Sequence, residues 1–136
     1  MAIELNVEGL EAGYGTVRVL HGVSLNVREG ETVALLGTNG NGKSTLLKCI
    51  MGIVKPETGR IDVEIDGEKI DLVGLGPREV VERGIGMVPE GRRLFPRLTV
   101  EENLHLGAFR NAARAKLSDN LAFSFEAFPV LSLIHI

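Results

Sequence analysis

The chain has 136 residues, of which 44% are hydrophobic and 24% are charged, and its formal net charge is −3. This length suffices for one small domain with a hydrophobic core, and the apolar content argues against intrinsic disorder. Acidic and basic residues are interspersed, so the charge pattern does not indicate a nucleic-acid-binding face. Cys49 is the only cysteine, which excludes an internal disulfide framework, and no apolar run reaches the roughly 20 residues that span a bilayer.

Two kinds of strand are predicted along the chain. Three segments alternate apolar and polar residues, which is typical of half-buried strands in an antiparallel sheet. These segments are residues 3–8, 23–28 and 61–66. The dipeptide Asp66-Gly67 predicts a hairpin turn after the third. Residues 32–36 instead form a continuous apolar run, which predicts a strand covered on both faces of a parallel sheet, and residues 85–88 are a second candidate for that sheet.

The sequence Gly-Thr-Asn-Gly-Asn-Gly-Lys-Ser-Thr follows the apolar run at residues 37–45 and satisfies the phosphate-binding-loop (P-loop) pattern. Its glycines allow the backbone to bend so that successive N–H groups point at phosphate oxygens. Lys43 adds a cation near the β- and γ-phosphates of a nucleotide, and Ser44 offers a hydroxyl to Mg²⁺. The predicted nucleotide contacts in the loop are Gly37, Thr38, Asn39, Gly40, Asn41, Gly42, Lys43, Ser44 and Thr45.

Four helices are predicted after the loop. An almost wholly apolar helix covers residues 44–53, and a short helix over residues 77–83 has a proline in its first turn. A capping box opens the next helix at Thr99, through about Phe109, and the last covers residues 111–128. Together with the strands, these elements predict an antiparallel β-layer beside a P-loop α/β core.

From about residue 3 to about residue 128 the chain resembles the nucleotide-binding subunit of ABC transporters. Four segments carry the resemblance: Tyr14 with residues 17–25, Gly30-Glu31 with the P-loop, Glu57-Thr58-Gly59-Arg60-Ile61, and residues 88–104. The last segment looks like the family's Q-loop and the residues after it. Its sequence Pro-Glu-Gly-Arg-Arg-Leu-Phe looks most like that of the ATPase of branched-chain amino acid importers. The resemblance implies an ABC-type P-loop core with an N-terminal antiparallel β-layer, present here in incomplete form.

The resemblance also implies roles for residues outside the P-loop. Tyr14 occupies the position of the adenine-stacking aromatic, with Val19 beside it in the same segment; a β-edge tyrosine at a turn is the alternative. Glu90 stands where most of the family has Gln, which implies a ligand of Mg²⁺ or of its water shell; a contact with a membrane partner and a solvated loop acid are the alternatives. Lys43 and Glu90 are the expected catalytic residues, Ser44 and Glu90 the expected metal ligands, and ATP with Mg²⁺ the expected cofactors.

Several landmarks of the family have no counterpart in this sequence. They are the Leu-Ser-Gly-Gly-Gln signature, the strand of four apolar residues with Asp, the catalytic Glu and the switch His. We therefore expect residues 1–130 to be the N-terminal part of a nucleotide-binding domain, roughly its first half. Residues 131–136 are expected to be an apolar tail, which is either non-native or packed on the core.

The implied function is that of the MgATP-binding part of an ATPase that powers solute import, in particular of branched-chain amino acids. The implied partners are a second ATPase subunit in a head-to-tail dimer and transmembrane permease subunits, on the cytoplasmic side and peripheral to the inner face of the cell membrane. The alternatives are a nucleotide-binding fragment without turnover and another P-loop enzyme such as a small-molecule kinase. A GTPase is disfavoured because the sequence holds no Asn-Lys-x-Asp segment.

Overall fold

The computed structural model describes residues 2–133 of the chain. Two compact units divide these residues: the first ends at Met87 and the second begins at Val88. Within residues 2–133, no helix is both long and apolar enough to cross a membrane.

The first unit is built on four antiparallel strands, namely β1 (Ile3–Tyr14), β2 (Val17–Arg28), β3 (Thr58–Ile65) and β4 (Glu68–Asp71). They lie in the order β2-β1-β3-β4. The pairs β1–β2 and β3–β4 are hairpins, and β1 pairs with β3 in the middle of the sheet. The predicted antiparallel layer is confirmed, and β1 and β2 extend well beyond the predicted segments. The predicted hairpin between β3 and β4 also forms, because Asp66 and Gly67 adopt φ values of 51° and 82°, as a two-residue turn requires.

One helix covers the inner face of this sheet. Helix α1 (Lys43–Ile50) begins at the end of the P-loop and ends three residues before the predicted boundary. Its buried side chains join those of the strands in a single core, which excludes water from the sheet face next to the P-loop. The core residues are Val7, Leu10, Ala12, Leu20, Leu46, Cys49, Ile50, Ile61, Val63 and Leu72. The predicted short helix is confirmed as α2 (Pro77–Glu82).

The two predicted strands of the parallel sheet are not formed, so that prediction was wrong. Residues 31–38 and 85–89 carry no regular secondary structure. Leu36 is 91% exposed and Val88 is 96% exposed, although both were expected in a core. A strand depends on backbone hydrogen bonds to at least one neighbouring strand, and among residues 2–133 neither segment has one.

The second unit is helical, with α3 (Val100–Leu106), α4 (Asn111–Arg114), α5 (Leu117–Ala127) and α6 (Val130–Leu133). The predicted capping box at Thr99 is confirmed, but α3 ends at Leu106 rather than Phe109, since Gly107 follows. The predicted long helix over residues 111–128 is broken into α4 and α5, because Lys116 leaves the helical region at φ −112° and ψ 16°. Of the predicted tail, residues 131–133 belong to α6 and residues 134–136 lie outside the described part of the chain.

Candidate nucleotide-binding site

The P-loop of this chain has the backbone geometry that anion binding requires. Gly40 and Gly42 adopt φ values of 89° and 83°, and Gly42 is the residue that caps the N-terminus of α1. Inside the loop the Asn41 N–H donates to the Thr38 carbonyl at 3.3 Å. Because α1 starts at Lys43, the positive end of its dipole and its unbonded N–H groups face the loop.

Strand β2 packs against the P-loop at Gly42. A Cβ atom added to Gly42 would lie 2.8 Å from the Leu20 Cδ2 atom and 3.1 Å from the Val19 Cγ1 atom. The left-handed φ of 83° favours glycine at this position, and the Val19 and Leu20 side chains of β2 lie next to it. Val19 was implied at the site by resemblance, and the structure places it against the P-loop backbone. The contact of Leu20 was not predicted, because Leu20 lies outside the alternating segments at residues 3–8, 23–28 and 61–66.

Lys43 lies within the loop rather than pointing away from it. Its Nζ atom donates to the Gly37 carbonyl at 2.6 Å and to the Thr38 carbonyl at 2.8 Å. These two bonds hold the ammonium group against the loop backbone, next to the N-terminus of α1. The donor set thus consists of one cation and several N–H groups, which fits a nucleotide's phosphate chain.

Ser44 and Thr45 occupy the first turn of α1 but face different surroundings. Ser44 is exposed, so its hydroxyl is accessible to a hydrated Mg²⁺ ion that shares phosphate oxygens, as Mg²⁺ prefers. Thr45 is only 5% exposed. Its Oγ1 atom lies 3.5 Å from the Tyr14 hydroxyl oxygen, at the long limit for a hydrogen bond. Thr45 therefore connects the helix to the aromatic residue, whereas Ser44 is the residue open to a metal ion.

Tyr14 is placed beside the P-loop helix by the hairpin between β1 and β2. Tyr14 and Val17 pair across a two-residue turn at Gly15 and Thr16. The Tyr14 side chain remains 49% exposed. A ring that is half open to solvent has a face on which a planar base can stack. Tyr14 therefore lies at the end of β1 and also close to the first turn of α1.

Glu90 belongs to the second unit, where it is exposed in the segment before α3. Its backbone carbonyl accepts a hydrogen bond from the Arg93 Nε atom at 3.2 Å. The structure describes each unit by itself, so the metal role of Glu90 stays a prediction. Cys49, by contrast, is a core residue: burial raises the pKa of its thiol, which disfavours the reactive thiolate.

The P-loop, the lysine inside it and the helix that follows define a nucleotide-binding protein of the P-loop class. The sequence profile of the ABC transporter family matches residues 20–130, and the chain belongs to this family. Its fold is correspondingly an incomplete ABC ATPase fold, with the antiparallel layer formed.

Three similar proteins illustrate the match. The high-affinity branched-chain amino acid transport ATP-binding protein BraG of Pseudomonas aeruginosa is 45% identical over 105 residues, which cover 77% of this chain and 43% of BraG. The lipopolysaccharide export system ATP-binding protein LptB of Haemophilus influenzae is 43% identical over 100 residues, which cover 74% of this chain and 40% of LptB. A solved structure of an ATP-binding subunit of an ABC transporter is 38% identical, with a TM-score of 0.63, over 79% of this chain and 44% of that one.

The chain thus spans less than half the length of each of these three proteins. The family profile covers the P-loop and most of the second unit, and it begins within β2 at residue 20. Each of the three matches is a similarity between this chain and one part of the relative.

Proposed function

We propose that this chain binds MgATP through the P-loop and that it forms part of an ABC transporter subunit whose ATP hydrolysis powers solute import. The observation that carries the proposal is the position of the Lys43 Nζ atom, which lies 2.6 Å and 2.8 Å from two carbonyls of a loop that opens a helix. No other group among the described residues combines a cation, glycine-bent backbone and a helix N-terminus in this way.

Each residue has a separate task in this proposal. The backbone of residues 37–42 receives the β-phosphate, and Lys43 exchanges its carbonyl partners for oxygens of the β- and γ-phosphates. Ser44 holds Mg²⁺ together with the phosphates, and Tyr14 stacks on adenine with Val19 beneath the loop. For Glu90, the family resemblance alone supports a role as a ligand of Mg²⁺ or of its water shell. When bound, Mg²⁺ neutralises charge that develops on the phosphate oxygens.

The solute that we propose is a branched-chain amino acid. The support is the 45% identity with BraG together with the segment Pro-Glu-Gly-Arg-Arg-Leu-Phe at residues 89–95. LptB, whose name refers to lipopolysaccharide export, is nearly as similar at 43% identity. The described residues bind nucleotide rather than solute in our proposal, so the solute assignment depends on similarity alone.

The proposed partners are transmembrane permease subunits and a second ATPase subunit in head-to-tail arrangement, at the cytoplasmic face of the membrane. Membership of the ABC transporter family supports this assembly. The second ATPase subunit would supply a facing surface that encloses the γ-phosphate during transfer. The proposal assigns ATP binding to this chain itself and assigns hydrolysis and transport to the whole assembly.

The test is a nucleotide titration with Lys43→Ala. We expect the affinity for MgATP to fall about tenfold or more, since a charge-assisted contact to phosphate contributes roughly 1.5–3 kcal/mol. AMP, which lacks the β- and γ-phosphates, should bind equally well to both chains. Isothermal calorimetry of both nucleotides measures the two changes.

Lys48→Ala is the matched control, because Lys48 lies in the last turn of the same helix. It should leave the MgATP affinity unchanged. Equal losses for ATP and AMP in the Lys43→Ala chain would indicate misfolding and contradict the phosphate role of Lys43.

A further inference from the structure

The hairpin of β1 and β2 carries Tyr14 at its tip, and strand β1 is irregular just before that residue. Its pairing with β2 shifts register between Leu10 and Glu11 and again between Ala12 and Gly13. A register shift of this kind interrupts the hydrogen-bond ladder and bends the strand. The orientation of the tip therefore depends on contacts other than a regular ladder.

Arg18 of β2 supplies such contacts, because it bridges two carboxylates. Its Nη1 atom lies 3.3 Å from the Glu11 Oε2 atom in β1. Its Nη2 atom donates to the Glu57 Oε2 atom at 3.0 Å, one residue before β3. A planar guanidinium group holds two acceptors in a fixed relation, which the point charge of a lysine does less well. We call Arg18, Glu11 and Glu57 the arginine clamp.

Further hydrogen bonds fix the two carboxylates of the arginine clamp. The Glu11 Oε2 atom also accepts from the Thr58 Oγ1 atom at 3.1 Å, and the Glu57 N–H donates to the Glu11 carbonyl at 2.7 Å. An isolated ion pair between exposed side chains contributes little to stability, but a network of several charged groups is the exception. The clamp thus joins β1, β2 and the start of β3 where the register of β1 shifts.

The backbone transmits the position of Arg18 to Tyr14. Gly13 and Arg18 pair across the hairpin. A Cβ atom added to Gly13 would lie 2.0 Å from the Val17 carbonyl oxygen and 2.7 Å from the Arg18 Cα atom. Because the two backbones are in such close contact, a shift of Arg18 displaces Gly13, and Tyr14 is the next residue.

We propose that Arg18 is a positioning residue: through the arginine clamp it fixes the hairpin tip, so that the Tyr14 ring is held in place to stack on the base. This inference rests on the proposed function, in which Tyr14 contacts adenine. The clamp acts on the base end of the nucleotide only, since the phosphates contact the P-loop backbone and Lys43. A purely structural clamp would change the stability of the hairpin and leave the choice between nucleotides unaltered.

The first test compares ATP with inorganic triphosphate, which has no base, by isothermal calorimetry. Arg18→Met keeps the length of the side chain and removes its charge. We expect its ATP affinity to fall about threefold to fivefold, the range that an exposed ion-pair network allows, and its triphosphate affinity to stay within about twofold. Arg18→Lys keeps a cation and should restore part of the ATP affinity.

Arg60→Met is the matched control. Arg60 forms an ion pair with Glu8 at 2.6 Å, also between β3 and β1. That pair lies on the side of the register shift away from the hairpin tip. The variant removes an exposed arginine ion pair from the same sheet, and both affinities should stay within about twofold of the native values.

The second test measures the order of the tip itself by amide hydrogen exchange. In Arg18→Met the peptide that contains Tyr14 should exchange faster, while residues 61–71 of the other hairpin exchange at the native rate. Glu57→Gln removes one of the two carboxylates and should cause a smaller loss of ATP affinity. The double variant Arg18→Met/Glu57→Gln should lose no more than Arg18→Met alone, because both changes break the same bond.

Four outcomes would contradict the proposal. Equal losses for ATP and triphosphate in Arg18→Met would place the effect away from the base. Faster exchange at the tip with unchanged ATP affinity would leave Arg18 a structural role only. An equal ATP loss in Arg60→Met would reflect a general weakening of the sheet. These three results leave MgATP binding by the P-loop intact, whereas a native chain that binds neither ATP nor triphosphate would refute the proposed function and this inference with it.

Discussion

Individual side chains at the nucleotide site perform tasks that depend on their chemical type. Lys43 bridges two carbonyls of its own loop, which only a flexible cation with several donors can do. Tyr14 presents a ring whose hydroxyl lies 3.5 Å from the Thr45 Oγ1 atom. The adenine contact should therefore depend on the Tyr14 ring, with the hydroxyl serving only to orient it.

Tyr14→Phe and Tyr14→Ala test this separation. The Phe variant keeps the aromatic face and loses only a long hydroxyl contact, so its ATP affinity should be close to that of the native chain. The Ala variant should lose about 1–3 kcal/mol for adenine nucleotides, by analogy with base–aromatic stacking. Calorimetry with ATP and with inorganic triphosphate measures both effects.

Inorganic triphosphate is the internal control for the Tyr14 variants, because it has no base to stack. Its affinity should be the same for all three chains. If Tyr14→Ala and Tyr14→Phe bind ATP alike, the ring is only the end of a β-strand and the stacking role is wrong.

The P-loop residues were predicted from residue type and spacing, and Tyr14 from the family resemblance; their roles stay predictions. The P-loop pattern fixes its own backbone geometry, and the structure shows Gly42 with the left-handed φ of 83° that this requires. Asn103 was not identified from sequence, because its side-chain amide bonds the backbone N–H and carbonyl of Phe95, eight residues earlier. A capping box at Thr99 was visible, but no sequence pattern specified the turn that the box supports.

At the level of elements, the antiparallel layer depends on a close approach of two strands. Gly59 lies in β3 at a φ of 98°, and a Cβ atom there would lie 2.6 Å from the Gly9 carbonyl oxygen and 2.7 Å from that of Glu8. Both obstacles are backbone atoms of β1, which cannot move without breaking the strand pair. Gly59 therefore fixes the distance between β1 and β3.

Gly59→Ala should be markedly destabilising. The left-handed φ and the overpacking against backbone together should lower the free energy of unfolding by about 2–5 kcal/mol. Gly67→Ala is the matched control, because Gly67 also has a positive φ of 82° but its added Cβ atom meets nothing within 4 Å. That variant should cost about 1–2 kcal/mol from the dihedral alone.

Urea unfolding followed by circular dichroism gives both free energies. A Gly59→Ala chain that is no less stable than the Gly67→Ala chain would contradict the close approach of β1 and β3.

Strands of the two kinds differ in how well sequence predicts them. Alternating strands such as β1 and β3 find each other within the described part of the chain, although residues 15–57 separate them, so their pattern sufficed. Residues 32–36 were predicted as a strand from their apolar content, yet Leu36 is 91% exposed and the segment is irregular. An apolar segment favours burial, but a strand forms only when a neighbouring strand pairs with it. Residues 2–133 provide no such neighbour for this segment.

For the whole molecule, binding and turnover make different demands on the structure. In our proposal the site supplies contacts that a bound nucleotide makes from the start: the loop backbone, the Lys43 ammonium, the Ser44 hydroxyl and the Tyr14 ring. Catalysis requires groups that interact more strongly with the transition state than with bound ATP. In phosphoryl transfer to water, these are a group that orients the water and donors that enclose the transferring phosphate.

We therefore predict that this chain by itself binds MgATP and releases phosphate at a rate near the uncatalysed background. Its sequence holds no Leu-Ser-Gly-Gly-Gln segment, so two copies of this chain cannot supply that loop to each other's P-loop. The measurement is phosphate release from purified chain over hours at saturating MgATP, with Lys43→Ala as the blank because that variant has lost the phosphate cation. Turnover well above this blank would contradict the prediction, and it would point to Glu90 as the group that orients the attacking water. Glu90→Gln would then decide the matter, since an amide keeps the size of the side chain but removes the carboxylate charge.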